Sequence, residues 1–154
     1  MRIVVDTTYV LPCFGIIQDE IPADLILRMQ KSGHETIISE ISIFEGMASA
    51  AKRFAKLKID ENFVLTGVSV LTAEDRITKV PLADPEVCMR SLMARRSLND
   101  FVDCLILATG AWAGDLLITE DREMLDFPVE KLAPLNPDFQ IVNYQDARDF
   151  LVHI

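Results

Sequence analysis

Cysteine is scarce and scattered in this sequence. The three residues Cys13, Cys88 and Cys104 are odd in number, far apart, and form neither a Cys-x-x-Cys pair nor a zinc-type spacing. A disulfide framework and a thiolate zinc site are thereby excluded, and free thiols in a reducing cytosol are the expectation. Long apolar runs are missing too. The opening Met1-Arg2-Ile3-Val4-Val5-Asp6 is too short for a signal peptide, and no stretch approaches the ~20 apolar residues of a membrane span. A soluble, cytoplasmic protein without a membrane partner is expected. Positive charge is in deficit, with 15 basic against 24 acidic residues and a net charge of −9. The surface as a whole therefore repels nucleic acid, unless a local basic patch or bound divalent cations intervene. His34 and His153 have no partner in sequence and are assigned no role. No internal repeat, low-complexity tract or linker divides the 154 residues, which suffice for one well-cored domain over 1–154.

What the chain does have is an alternation of short β-branched runs and helical patterns. Ile3-Val4-Val5 reads as a buried parallel strand that delivers Asp6 at its carboxyl end. A helix is predicted from about Pro22 to Lys31, then a strand over 35–38. A long helix opens at Ser39 or a neighbour, with Ile41, Phe44, Ala48, Ala51 and Ala55 on one buried face and Glu45 at its edge. Residues 60–71 offer a further helix that their β-branched side chains disfavour, and 77–82 a third strand that Pro81 would confine to an edge. Asp84-Pro85 starts a helix through about Arg96. Asn99 or Ser97 caps the next, from Asp100 to about Trp112, with Gly114 closing it. Residues 115–119 form a fourth strand, again running into an acid, Asp121. A Pro-punctuated loop leads to a fifth strand near 140–142 and a closing helix over 145–151. Strands alternating with helices imply an α/β fold: a three-layer α/β/α sandwich around a parallel sheet of about five strands. Ligands of such sheets collect outside the carboxyl ends of the strands, where Asp6 and Asp121 are placed.

Each acid has a structural explanation of its own. Asp6 and Asp121 could cap the turns that follow them, and Asp100 could be a first-turn acid favoured by the helix dipole. Glu45 on a half-buried face is costly unless a cation or donors receive it. Asp100 and Asp103 lie one turn apart on one helix face and could point the same way. Several acids at one sheet edge would repel each other and raise their proton affinity without a cation.

At this point a family resemblance emerges. Ile3-Val4-Val5-Asp6-Thr7-Thr8 resembles the first strand and acid of the PIN-domain ribonucleases, including the toxin subunits of toxin-antitoxin pairs. Ser39-Glu40-Ile41-Ser42-Ile43-Phe44-Glu45 is similar to their serine-to-glutamate segment. Asp103-Cys104-Leu105-Ile106-Leu107-Ala108-Thr109-Gly110-Ala111 resembles the third motif, and Leu117-Ile118-Thr119-Glu120-Asp121 the fourth. The resemblance implies that Asp6, Glu45, Asp103 and Asp121 hold Mg²⁺ or Mn²⁺, with Thr119 a polar helper, for hydrolysis of single-stranded RNA. Hard divalent cations prefer such oxygen ligands. Thr8 stands where the family often has Ser or Asn. Asp100 competes with Asp103 for the third position, but Asp103 fits the spacing to Thr119 and Asp121 better, which makes Asp100 an accessory acid. The resemblance also implies an antitoxin partner and a homodimer.

For RNA grip the candidates are Arg90, Arg95 and Arg96 and, ranked below them, Lys52, Arg53, Lys56 and Lys58; both groups could equally be solvated faces. Phe101 and Trp112 share an apolar stripe with Leu105 and Ala108 that reads as core. A haloacid-dehalogenase-like phosphatase wants a second acid two residues after the first, where Thr8 stands, and a receiver domain wants an acidic pair near the first strand. The alternative from another class is a noncatalytic PIN-like scaffold that binds RNA or protein.

Overall fold

The computed structural model of the chain describes residues 1–56 and 58–151. Five strands, β1 (Arg2–Val5), β2 (Glu35–Ser39), β3 (Ile77–Val80), β4 (Leu116–Ile118) and β5 (Gln140–Val142), form one sheet in the order β3-β2-β1-β4-β5. All four pairings are parallel, so every strand points its carboxyl end to the same edge. Val5 pairs with Ile38 on one side and Ile118 on the other, which sets Asp6 between Ser39 and Thr119 just beyond the sheet. The chain leaves β1 for β2 and β3 on one side and returns to β4 on the other. Asp6 therefore stands at the switch point, where α/β sheets open a crevice.

The helices are α1 (Thr7–Val10), α2 (Leu25–Lys31), α3 (Glu40–Phe54), α4 (Glu61–Ala73), α5 (Pro85–Ala94), α6 (Phe101–Ala113), α7 (Arg122–Leu125) and α8 (Tyr144–Phe150). Two 3-10 turns, Leu11–Phe14 and Val129–Leu132, complete the set. Alternate strand residues feed two cores. Ile3, Val5, Ile38, Leu116 and Ile118 pack with Tyr9, Met29, Ile43, Ala50, Leu71 and Ala147 on one face. Val4, Ile37 and Leu117 pack with Val87, Ala94, Ile106, Leu107, Met124 and Phe139 on the other. This is the expected three-layer α/β/α arrangement. No helix among the described residues is long and apolar enough to cross a membrane.

Several local expectations are corrected. The first predicted helix begins at Leu25 rather than Pro22, and the one starting at Pro85 stops at Ala94. The uncertain fourth segment is helical, since Asp60 caps it by accepting a hydrogen bond from the Asn62 amide. β3 is indeed an edge strand, ending at Val80 before Pro81. Asp100, not Asn99 or Ser97, caps α6, accepting from the Val102 amide at 2.8 Å. The buried face of α3 is Ser42, Ile43, Gly46 and Ala50, while Phe44, Ala51 and Ala55 are exposed. Gly46 explains the rotation. A Cβ there would come within 2.5 Å of Cε2 of the buried Phe14, so only glycine lets α3 sit this close to the Leu11–Phe14 turn. His153 lies outside the described residues.

Candidate active site

Two strand tips and two helices bring the predicted acids to the carboxyl edge. β1 ends in Asp6, which is 6% exposed and serves as N-cap of α1. Its Oδ1 accepts from the Thr7 amide at 2.5 Å and its Oδ2 from the Thr119 hydroxyl at 2.8 Å. Thr119 follows β4 as Asp6 follows β1. The same Oγ1 accepts from the Asp121 amide at 3.0 Å, so one buried hydroxyl ties both strand-tip acids together. Asp121 caps α7 by accepting from the Met124 amide at 2.9 Å. Glu45 comes from the middle of α3, and its Oε2 accepts from the Thr7 hydroxyl at 2.6 Å. Asp103 lies in the first turn of α6, half-buried, with no hydrogen-bond donor among the described residues.

Electrostatics place these groups in one field. Burial pushes the Asp103 carboxyl up to about 7, reinforced by the negative charges of Asp100, Asp121, Asp6 and Glu45. Burial pushes Asp6 up to about 6; its bonds from Thr119 and Thr7 oppose the rise, and Glu45 and Asp121 add to it. The acids thus feel one another across four elements, as expected for carboxylates gathered without a counter-charge. Asp100 is exposed and is a helix cap first, but its charge still reaches Asp103.

Three features were not foreseen from the sequence. Thr7, rather than Thr8, is the hydroxyl that bridges toward Glu45, and nothing in the spacing distinguishes the two. Ser39 is fully buried beside Asp6, and its hydroxyl has no partner among the described residues. Tyr9, buried on α1, donates to Glu120 Oε1 at 2.5 Å, and the Tyr144 amide donates to the same oxygen at 2.9 Å. Glu120 so anchors the segment between Thr119 and Asp121 to α1 and α8.

The arginine candidates divide. Arg90 is 6% exposed, bound to Glu86 at 2.5 Å and to the Ala133 carbonyl at 3.1 Å, with its guanidinium 5.2 Å from the centre of the Trp112 ring. It is a structural cation and is withdrawn as an RNA contact. Arg95 is exposed, although it donates to the Leu98 carbonyl, and Arg96 is exposed. Trp112 packs against the core as expected, whereas Phe101, the first residue of α6, is 45% exposed.

The donor set fits a hard divalent cation. Every side chain at the edge offers oxygen, two carboxyls are driven toward protonation by each other and by burial, and Ser39 contributes an unpartnered buried hydroxyl. Among the described residues no group of three or more His, Cys, Asp or Glu side chains stands at metal-ligand spacing. Protein donors engage Asp6, Glu45 and Asp121.

Comparison with known proteins bears on the fold and the family. The chain is similar in structure to PAE2754 from Pyrobaculum aerophilum, with a TM-score of 0.60 and 14% identity, covering 100% of this chain and 91% of that one. It is similar to VapBC2 from Rickettsia felis, solved bound to a promoter DNA fragment (TM-score 0.57, 11% identity, 93% of this chain and 98% of that). A toxin-antitoxin complex from Klebsiella pneumoniae gives a TM-score of 0.53 at 17% identity, covering 82% of this chain and 92% of that. At such identities the likeness is one of fold. No curated protein matches the chain. Nucleases with the PIN domain generally use divalent metal ions. The PIN domain family model matches residues 3–130, well over half of the sequence, and the chain belongs to this family of nucleases.

Proposed function

We propose that this protein is a divalent-metal-dependent endoribonuclease acting on single-stranded RNA. One observation carries the reading: the proton affinities of Asp6 and Asp103, brought to the site by a strand tip and a helix, are both raised by burial and by the neighbouring acids. Such a cluster is costly as a structural feature and useful as a cation site. Asp6, Glu45, Asp103 and Asp121 would hold Mg²⁺ or Mn²⁺. When bound, the ion supplies charge neutralisation for a phosphodiester and a water acidic enough to attack it. Thr119 fixes the Asp6 carboxylate through Oδ2 and the Asp121 backbone through its amide, and Thr7 holds Glu45 against α1. Asp100 adds negative charge beside Asp103 without a placed ligand role.

The toxin part of the reading draws on the similarity to the toxin-antitoxin complex from Klebsiella pneumoniae. An antitoxin is the proposed protein partner, and a homodimer in the cytoplasm the proposed form; exposed Phe44, Phe63, Leu65 and Leu92 offer apolar surface for one or both. Co-purification with the product of the adjacent gene and the mass in solution test these assignments. The catalytic reading is tested by incubating purified protein with Mn²⁺ and a panel of single-stranded RNAs. Cleavage that is lost in EDTA and in Asp103→Asn supports it. An uncut panel, with Mn²⁺ binding indifferent to Asp6→Asn, leaves the noncatalytic scaffold in its place.

A further inference from the structure

A ribonuclease with this composition must hold an acidic polymer on an acidic protein, and a second feature of α3 bears on how. Thr7, which meets Glu45, begins the segment that runs on through α1 and the Leu11–Phe14 turn alongside α3. Further along, Leu11 and Ile16 from this segment and Ser49, Lys52 and Arg53 from α3 line a cavity of about 350 Å³, joined by Lys56 and Lys58 from the turn after the helix. Glu45, Ser49 and Lys52 follow the i, i+4, i+7 rule and share one helix face. Seven residues separate Glu45 from Lys52, which is about 10 Å along the axis at a rise of ~1.5 Å per residue. The carboxylate of Glu45 and the cavity thus lie along one face of α3, beside the segment that begins at Thr7.

The charge in that cavity needs an explanation. It gathers four of the 15 basic residues of a chain with net charge −9, and no acidic side chain lines it. None of the four has an ion-pair partner among the described residues, so no protein carboxylate offsets the charge they bring together. The dipole of α3 accounts for Lys52 and Arg53 in its last turn. It does not account for Lys56 and Lys58 turning into the same space. Like charges placed together without counter-ions are a cost that a polyanion removes.

Resting on that ribonuclease reading, we infer that the RNA strand runs from the carboxylates along this face of α3 into the basic cavity. Lys52, Arg53, Lys56 and Lys58 hold backbone phosphates a few nucleotides from the bond that is cut. Lysines contact phosphate as mobile point charges and read no base, so the cavity sets affinity and strand direction and leaves sequence preference to other contacts. An acidic peptide would meet the same charges, but the alignment with Glu45 serves only a ligand that spans both ends.

The test is fluorescence anisotropy of a short labelled single-stranded RNA against the full chain carrying Asp6→Asn, in EDTA, across a range of KCl. The comparison adds Lys52→Ala with Lys56→Ala in one protein, and Lys31→Ala with Lys131→Ala in a control of equal charge change; all four lysines are exposed, so folding is spared. Each phosphate-binding lysine that is removed lowers the slope of log affinity against log salt by about 0.7, hence about 1.4 for the cavity pair and close to zero for the control. With affinities equal near 1 M salt, that slope makes the cavity variant roughly 25-fold weaker at about 0.1 M. Equal slopes in both variants overturn the inference, as does a loss of affinity for labelled oligoglutamate with RNA binding unchanged, which assigns the cavity to an acidic peptide. RNA binding with the expected slopes, while the wild type cuts nothing with Mn²⁺, supports the cavity as an RNA site and overturns the nuclease reading. Absence of RNA binding at every salt concentration overturns the inference, and the nuclease reading falls with it only where the wild type also leaves the RNA panel uncut with Mn²⁺.

Discussion

Replacing Asp6 by Asn should stabilise the metal-free protein at neutral pH while abolishing its response to metal. In the folded chain Asp6 ionises near 6 rather than its ordinary 3.8, with burial the main cause. The folded state therefore holds a proton that the unfolded state has already released. Stability is unpenalised below about pH 4, falls as pH rises through the interval between the two values, and stays lowered above about 6. At ~1.4 kcal/mol per pH unit, the interval corresponds to roughly 3 kcal/mol from this nearly inaccessible group. Asp103 contributes in the same direction over an interval reaching about 7, though its half-exposure lets solvent screen much of it. The substituted asparagine can keep both local bonds: its carbonyl accepts from the Thr7 amide, and its NH₂ donates to Thr119 Oγ1 once that hydroxyl rotates. The assay is urea unfolding of wild type and Asp6→Asn in EDTA from about pH 4 to 8. The variant's advantage should be near zero at the acid end and grow to about 1–3 kcal/mol above pH 6. Groups with lowered values, such as Asp115 paired with Arg2, titrate equally in both proteins and cancel in the difference. Mn²⁺ should then raise the midpoint of wild type and leave the variant unmoved. A pH-independent difference, or an advantage that shrinks between about pH 4.5 and pH 7.5, would refute the buried carboxylate cluster.

Thr119→Val preserves shape but strands the Asp6 carboxylate and the Asp121 amide, so unfolding free energy should fall by about 1–3 kcal/mol and RNA cleavage at least tenfold, measured by urea titration and single-turnover assay. Gly46→Ala forces a methyl against the Phe14 ring and should lower stability by about 1–3 kcal/mol, seen as a reduced thermal midpoint; an unchanged midpoint would mean that α3 is not seated on the Leu11–Phe14 turn. Arg90→Ala removes the bonds to Glu86 and Ala133 and the stacking on Trp112, so it should destabilise the chain by about 1–3 kcal/mol without altering the salt slope of RNA binding.

β1 and β4 were legible because Ile3 to Val5 and Leu116 to Ile118 are buried on both faces and so form unbroken apolar runs, with Asp6 and Asp121 just past their ends. Helix faces were read less well where small residues do the packing. Hydrophobicity favours Phe44 as the inward residue of α3, yet it is 63% exposed, because Ser42 and Gly46 allow close approach on another side. Arg90 failed as an RNA candidate for a related reason: sequence gives its charge but not that Trp112, Glu86 and a backbone carbonyl enclose it. Four-residue α1 has too little pattern to detect, and with it the role of Thr7 went unseen. The acids were located in sequence one by one, while their mutual field exists only in three dimensions.

For two of those acids, capping and ligation first looked like competing explanations. In the folded chain the caps are formed and leave room for the proposed ligation. Asp6 gives Oδ1 to the Thr7 amide, and Asp121 gives Oδ1 to the Met124 amide, so each cap fixes the plane of its carboxylate on a rigid turn. The second oxygen is then held in a defined direction: that of Asp6 by Thr119, while that of Asp121 has no protein donor among the described residues. Glu45 likewise commits only Oε2, to Thr7, and Asp103 commits neither oxygen. The cluster is held by bonds that do not depend on a cation, so removing one leaves the scaffold standing and the repulsion unspent. Proton uptake near neutral pH is the cheapest relief available to such a site, and a divalent ion competes for the same oxygens. Metal affinity in this protein should accordingly weaken as pH falls from about 7 toward 6, the interval in which Asp103 and then Asp6 take up protons.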